Sequence, residues 1–168
     1  EEDKKLLKKI EVPEPEKCFD CRQRHLMCFI NHFNLHKRKC DATGENIISN
    51  YSSDKPYKIF KMPYWWGDTW DAINYGQEFD FERPFFDQFQ ELSLKVPRPA
   101  LFTAFQYDEN SEYTNHSGKN KNCYMIFDAD ENRDCYYSYS INKCTDCSDL
   151  YRTRQSELCY ECIDCMLC

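Results

Sequence analysis

Glycine is scarce in this chain, with four among 168 residues. Four cannot supply a Gly-rich loop of the kind that cradles phosphates, which removes the P-loop and dinucleotide-binding classes. Long apolar runs are missing as well. None approaches the ~20 residues that a membrane-spanning helix needs, and no leader pattern stands at the start. Positive charge is in deficit: 22 Lys and Arg face 29 Asp and Glu, giving a net charge of −7 and a pI near 5.1. Taken over the whole chain, that sign repels nucleic acid and anionic lipid. Leu and Val are few, so the apolar material is mostly 12 Tyr, 12 Phe and 12 Cys. Asp68, Asp71, Glu78 and Asp80 have no spacing that brings two carboxylates together. A catalytic thiol has to stand out by a low pKa, and none does. The chain reads as non-enzymatic, with no membrane association and no small-molecule substrate in evidence.

What is abundant is cysteine, and it is ordered. Eight of the twelve lie between Cys123 and Cys168, and Cys123, Cys135, Cys147 and Cys159 are each twelve positions from the next. Other columns keep the same period. Asn122, Asp134, Asp146 and Leu158 precede the cysteine; Phe127, Tyr139, Tyr151 and Ile163 follow four later; Asn132, Cys144, Ser156 and Cys168 follow nine later. Several columns agreeing at one period mark stacked structural repeats. Twelve extended residues cover about 40 Å, enough for one small β-solenoid coil, with like residues laddered about 4.8 Å apart. So narrow a coil suits compact cysteine inside. The aromatic column is too large for that interior and should cap a face or pack on a neighbour. Asn and Asp before the cysteine suit corners. The period is that of the disulfide-laced insect antifreeze coils, but their regular Thr-x-Thr ladder is lacking. Three states of the tail thiols stay open: reduced and buried, disulfide-bonded, or a second metal cluster of Cys144, Cys147, Cys159, Cys162, Cys165 and Cys168, whose Cys-x-x-Cys gaps suit zinc.

Upstream, residues 1–11 read as a short helix with Leu6, Leu7 and Ile10 on one side, stopped by Val12-Pro13-Glu14-Pro15. Cys18 and Cys21 have the gap of a zinc knuckle, and Cys40 can supply a third ligand. A second knuckle wants cysteine at position 43, where Thr43 stands. The stretch from Cys21 to about Lys39 reads as helical, with Cys28 in its apolar part. It carries Arg22, Arg24, Lys37, Arg38 and Lys39 and no acid. A basic segment beside a zinc knuckle can lie against phosphates, which makes RNA or ribosome association the alternative function; a solvated face paired with the chain's own acids is the plainer account.

The stretches VPEPEKCFDCRQRH, KRKCDATGENIISNYSSDKPYKIF, YWWGDTWDAINYG, FDFERPFFDQFQEL and VPRPAL resemble a group of uncharacterised cysteine-rich bacterial proteins. The resemblance covers nearly the whole chain and is most specific in the aromatic middle. It implies a zinc-ribbon or treble-clef segment near the start and a long cysteine-repeat tail, and carries no activity. In that group another Cys-x-x-Cys pair usually precedes the one matching Cys18 and Cys21; no such pair stands upstream here.

Asn46–Ser52 and Pro56–Phe60 read as a hairpin. From Lys61 the rings crowd: Tyr64, Trp65, Trp66, Trp70, Tyr75, Phe79, Phe81, Phe85 and Phe86 supply either the main core, which is the expected use, or a recognition surface. Pro84 opens a helix running to about Leu94, and Leu101–Tyr107 is a strand. The expected fold is α+β: a zinc-knuckle and hairpin module over residues 1–60, an aromatic segment over 61–107, and a cysteine-rich β-solenoid over 108–168 that continues past 168. The expected role is a cytoplasmic, zinc-binding scaffold that joins a protein partner or larger assembly.

Overall fold

The computed structural model describes residues 2–28 and 30–165. Packing divides the chain into two units, Glu1–Asn31 and His32–Cys168.

The first unit holds two helices, α1 (Glu2–Lys9) and α2 (Phe19–Met27). The Val12-Pro13 break separates them, and Lys4 pairs with Glu14 at 2.9 Å. Cys18 caps α2 with extended backbone, and α2 buries none of its side chains. The helix stops at Met27, so it does not run on to Lys39. Cys28 is exposed rather than core, its Sγ donating to the Arg24 carbonyl at 3.2 Å.

The second unit opens with an antiparallel hairpin, β1 (His36–Lys39) and β2 (Asn46–Ser49), in the register His36↔Ser49 to Lys39↔Asn46. The expected hairpin partner, residues 56–60, goes elsewhere: β3 (Ile59–Phe60) pairs in parallel with β4 (Arg98–Pro99). What redirects it is Arg38. Its guanidinium, 6% exposed, donates to Asp41 Oδ2 (3.0 Å) and to the carbonyls of Ser52 and Tyr57 (3.2 Å each). Asp41 Oδ2 in turn accepts the Ile59 N–H at 2.7 Å. The loop is thereby pinned to β1. Arg98 stacks on Tyr57, 3.7 Å from the ring centroid. Two helices follow, α3 (Met62–Trp65) and α4 (Phe85–Lys95), the latter opened by Pro84 as its N-cap. The expected strand after Pro99 shrinks to β5 (Thr103–Ala104), followed by a 3-10 turn over Phe105–Tyr107.

Then comes a β-solenoid of about four coils. Its strands are β6 (Asn115–Gly118), β7 (Phe127–Asp130), β8 (Arg133–Tyr136), β9 (Tyr139–Asn142), β10 (Thr145–Ser148) and β11 (Tyr151–Arg154). One parallel sheet runs β11-β9-β7-β6-β5 and a second pairs β10 with β8. Neighbours are twelve residues apart, as in Asn115↔Phe127↔Tyr139↔Tyr151. Only β5 breaks the step, pairing Thr103 with Ser117.

A shorter period lies inside the longer one. Every third residue from Asn110 to Asp164 is left-handed, with φ between 47° and 58°. Each coil therefore turns four corners. The corner N–H bonds back to the previous coil (Asp134 to the Lys121 carbonyl, 2.9 Å), and the N–H of the residue before it bonds forward (Arg133 to the Cys144 carbonyl, 2.9 Å). A non-glycine left-handed residue costs about 1 kcal/mol, which these inter-coil bonds offset. Asn122, Asp134 and Asp146 take corners as their side chains suggest, but so do Tyr137, Arg152 and Leu158.

Four inward columns result. Cys123, Cys135, Cys147 and Cys159 form one single file, all buried. Ile126, Ser138 and Leu150 form a second; Ala129, Ile141 and Thr153 a third; Asn120, Asn132, Cys144 and Ser156 a fourth. The fourth carries a polar ladder: Asn120 Oδ1 accepts from Asn132 Nδ2 (3.0 Å), and Asn132 Oδ1 accepts from the Cys144 N–H (3.0 Å). This interior has no width for an indole or phenyl ring, which is why the aromatic middle lies outside it. Trp66, Phe79, Phe81, Phe85 and Phe86 are exposed, against the expectation that they belong to the main core, whereas Tyr64, Trp65, Trp70 and Tyr75 are half-buried and pack with Phe60. The outward column Phe127, Tyr139, Tyr151 does pack on a neighbour: Phe33 stands 5.3 Å from Phe127 and 4.6 Å from Tyr139.

Candidate functional site

Cys18 and Cys21 stand at the start of α2 in the first unit. The Cys21 backbone N–H and then its thiol bond to Cys18, and these hold the Cys18 thiol below the usual value. Cys40 lies in the second unit, in the turn between β1 and β2. Gly44 at φ 74° closes that turn, its N–H reaching the Cys40 carbonyl at 2.8 Å. Burial works to raise the Cys40 thiol. The Thr43 hydroxyl, together with the N–H groups of Lys61, Thr43 and Ala42, outweighs it and lowers the pKa; the Lys61 N–H lies 3.3 Å from Sγ. Backbone donors aimed at sulfur suit a thiolate, and Thr43 stands where a Cys-x-x-Cys pair with Cys40 would need a second cysteine.

The tail thiols divide. Cys135 donates to Cys123, which raises its own pKa and lowers that of Cys123. Cys144 and Cys147 are pushed up chiefly by burial. Such thiols are inert. Cys162 exchanges hydrogen bonds with Cys165 and Cys159 around the last coil; Cys168 lies outside the described residues. Among the described residues no disulfide joins two cysteines, and no group of three or more His, Cys, Asp or Glu side chains is placed to hold a metal ion.

The basic set is distributed. Arg22 and Arg24 are exposed on α2 in the first unit, Lys37 and Lys39 are exposed on β1 in the second, and Arg38 between them is spent on Asp41 and two carbonyls. Alternation along the strand turns Arg38 inward, which a helical reading hides. Among the described residues no helix is long and apolar enough to cross a membrane.

Two features lie apart from the residues singled out as metal or nucleic-acid sites. The first is a phenylalanine surface on α4 and the loop before it, the alternative use of the crowded rings. Gln88, buried, folds residues 77–84 back onto the helix: its Oε1 accepts the Asp80 N–H at 2.9 Å, and its Nε2 donates to the carbonyls of Asp80 (2.9 Å) and Arg83 (3.0 Å). Phe79, Phe81, Phe85, Phe86 and Phe89 then form a chain of ring contacts, from 4.9 Å for Phe79–Phe81 to 6.3 Å for Phe79–Phe85. Phe81 is 88% exposed and Phe86 77%. Glu78, Asp80, Glu82 and Asp87 rim the patch, while Arg83 is paired to Glu91. A cleft of about 100 Å³ opens between Phe79, Phe85, Phe89 and Leu92.

The second is a cavity of about 450 Å³ where α3 meets the first coil. Met62, Trp65 and Trp66 form one wall, Leu101 and Phe102 another, and His116, Ser117, Gly118 and Asp130 the floor. A third hollow, open to solvent, lies against Tyr136, Ser148 and Tyr160 on the coils' other side.

No protein-family model matches the chain, and neither a curated protein nor a solved structure matches it significantly.

Proposed function

We propose that the protein is a non-enzymatic scaffold whose solenoid holds an acid-rimmed phenylalanine surface out to a protein partner. The observation that carries this reading is the chain of five exposed, mutually touching rings on α4 and its loop. Large exposed apolar patches with polar rims are the usual form of a protein contact, and rigid aromatic anchors beside a small pocket supply most of the binding energy in such contacts. Five carboxylates and two basic side chains lie between Glu78 and Lys95, so the complementary partner segment is basic and amphipathic, with an aliphatic side chain seated in the cleft at Leu92.

A labelled Lys/Leu amphipathic peptide, titrated by fluorescence anisotropy at two salt concentrations, tests this. Binding should be saturable, and Phe81→Ser with Phe86→Ser should weaken it at least about tenfold. Both rings are exposed, so circular dichroism should not change. Equal affinity for the double variant removes the reading.

Zinc binding belongs to the same reading on the two-residue gap between Cys18 and Cys21 at the start of α2, the spacing with which a thiolate pair grips zinc. Elemental analysis of the purified chain beside Cys18→Ala and Cys40→Ala decides it. Zinc near zero in the parent ends that part alone.

A further inference from the structure

From the cavity at α3 we infer a second binding site, separate from the phenylalanine surface, for a compact organic ammonium ion with an apolar body. Its volume, about 450 Å³, is in the range that holds small ligands, and its lining is mostly apolar with few polar groups, as such sites require. Trp65 and Trp66 meet edge to face at 82° with centroids 5.0 Å apart, giving two walls at right angles. Phe102, tilted at 35° to His116 with centroids 4.9 Å apart, gives a third. Aromatic faces carry negative quadrupole potential and attract cations, most strongly at tryptophan.

The floor supplies the countercharge. Among the described residues the Asp130 carboxylate has no ion pair, and its field helps to raise the pKa of the half-buried Asp108 nearby, behind desolvation itself. Gly118 keeps the floor open: a Cβ there would lie 2.8 Å from Ala104 Cβ and 3.4 Å from Asp130 Oδ1.

The chemistry then narrows. A neutral apolar ligand would cover Asp130 and leave a desolvated charge unpaired. A bare inorganic cation would lose its water to indole and phenyl walls that cannot replace it. An alkylated ammonium satisfies both, with charge near Asp130 and methyl or methylene groups on the rings. The same head group occurs on free small molecules and on methylated lysine side chains.

The test uses the whole chain and reads tryptophan fluorescence. Benzyltrimethylammonium should give a saturable change, and its neutral isostere neopentylbenzene should bind at least about tenfold more weakly. Asp130→Asn should weaken the cation about tenfold and leave the neutral compound unchanged; Trp66→Ala should weaken the cation by a similar factor. Trp66 is half exposed, and circular dichroism of both variants checks that they fold. Choline and a trimethyllysine peptide, run in parallel, tell whether the head group arrives free or on a chain. The inference is overturned by equal affinity for the neutral isostere, by an Asp130→Asn variant that binds the cation as the parent does, or by no saturable response up to about 10 mM. None of these results bears on the phenylalanine surface, whose variants lie on α4 and the loop before it.

Discussion

Replacing Asn132 probes the central feature of the solenoid. Its side chain is 2% exposed and joins three coils. Nδ2 donates to Asn120 Oδ1 (3.0 Å) and to the Ile141 carbonyl (3.3 Å), while Oδ1 accepts the Cys144 N–H (3.0 Å). Asn132→Ala deletes all three bonds and leaves the Cys144 N–H buried without that acceptor. An orphaned buried donor costs about 1–3 kcal/mol and each lost neutral bond about 1 kcal/mol, so a loss of about 3 kcal/mol is expected. That is a large share of the ~5–15 kcal/mol that holds a domain together. Asn132→Asp sharpens the test. Its carboxylate keeps the Cys144 bond but turns a second oxygen toward the Asn120 and Ile141 acceptors, and only the protonated acid can donate to either. The folded state therefore raises the pKa of this acid above its unfolded value. The penalty is absent below the unfolded carboxylate range and grows as pH rises toward the folded pKa. Urea unfolding of both variants and the parent, followed by far-UV circular dichroism across pH, measures it. Asn132→Ala should unfold at much lower urea, and Asn132→Asp should approach the parent in acid and fall behind it at neutral pH. An Asn132→Ala variant within about 0.5 kcal/mol of the parent, or an Asn132→Asp variant with no added pH dependence, would refute the ladder's role.

Arg38→Ala should cost about 2–4 kcal/mol, because it strips two carbonyls and Asp41 of a buried partner; an unchanged urea midpoint contradicts this. Gly44→Ala should cost about 1 kcal/mol from backbone strain alone, since a Cβ at φ 74° meets nothing within 4 Å, and Gly44→Asn should cost less. In thiol titration of the folded chain, the exposed Cys18, Cys21 and Cys28 should react first, and the buried Cys135, Cys144 and Cys147 only on unfolding. Burial raises the pKa of Cys144 and Cys147, so stability should fall as pH rises through the range where unfolded thiols ionise and the folded ones do not. A midpoint flat through that range speaks against thiols held protonated inside the coils.

Much of the tail was legible because a stacked coil must repeat what it buries. Cys123, Cys135, Cys147 and Cys159 share a column, and only a twelve-residue step can align them. Asn122 and Asp134 announced corners, and Pro84 announced α4. The three-residue period stayed hidden because the corners accept Tyr137, Arg152 and Leu158 as readily as Asn: inter-coil hydrogen bonds, not side-chain preference, hold the left-handed backbone there. Arg38 looked like one charge in a basic run, and strand alternation together with the Asp41 carboxylate made it a buried clamp. The rings of the middle segment looked like a core because large apolar area usually is one. The width of the coil decided otherwise. Four inward positions per turn admit cysteine, isoleucine and asparagine, so the indoles and phenyls were left outside. There they wall a cavity over Asp130 and face solvent along α4, an outcome that depends on interior volume, which sequence does not state.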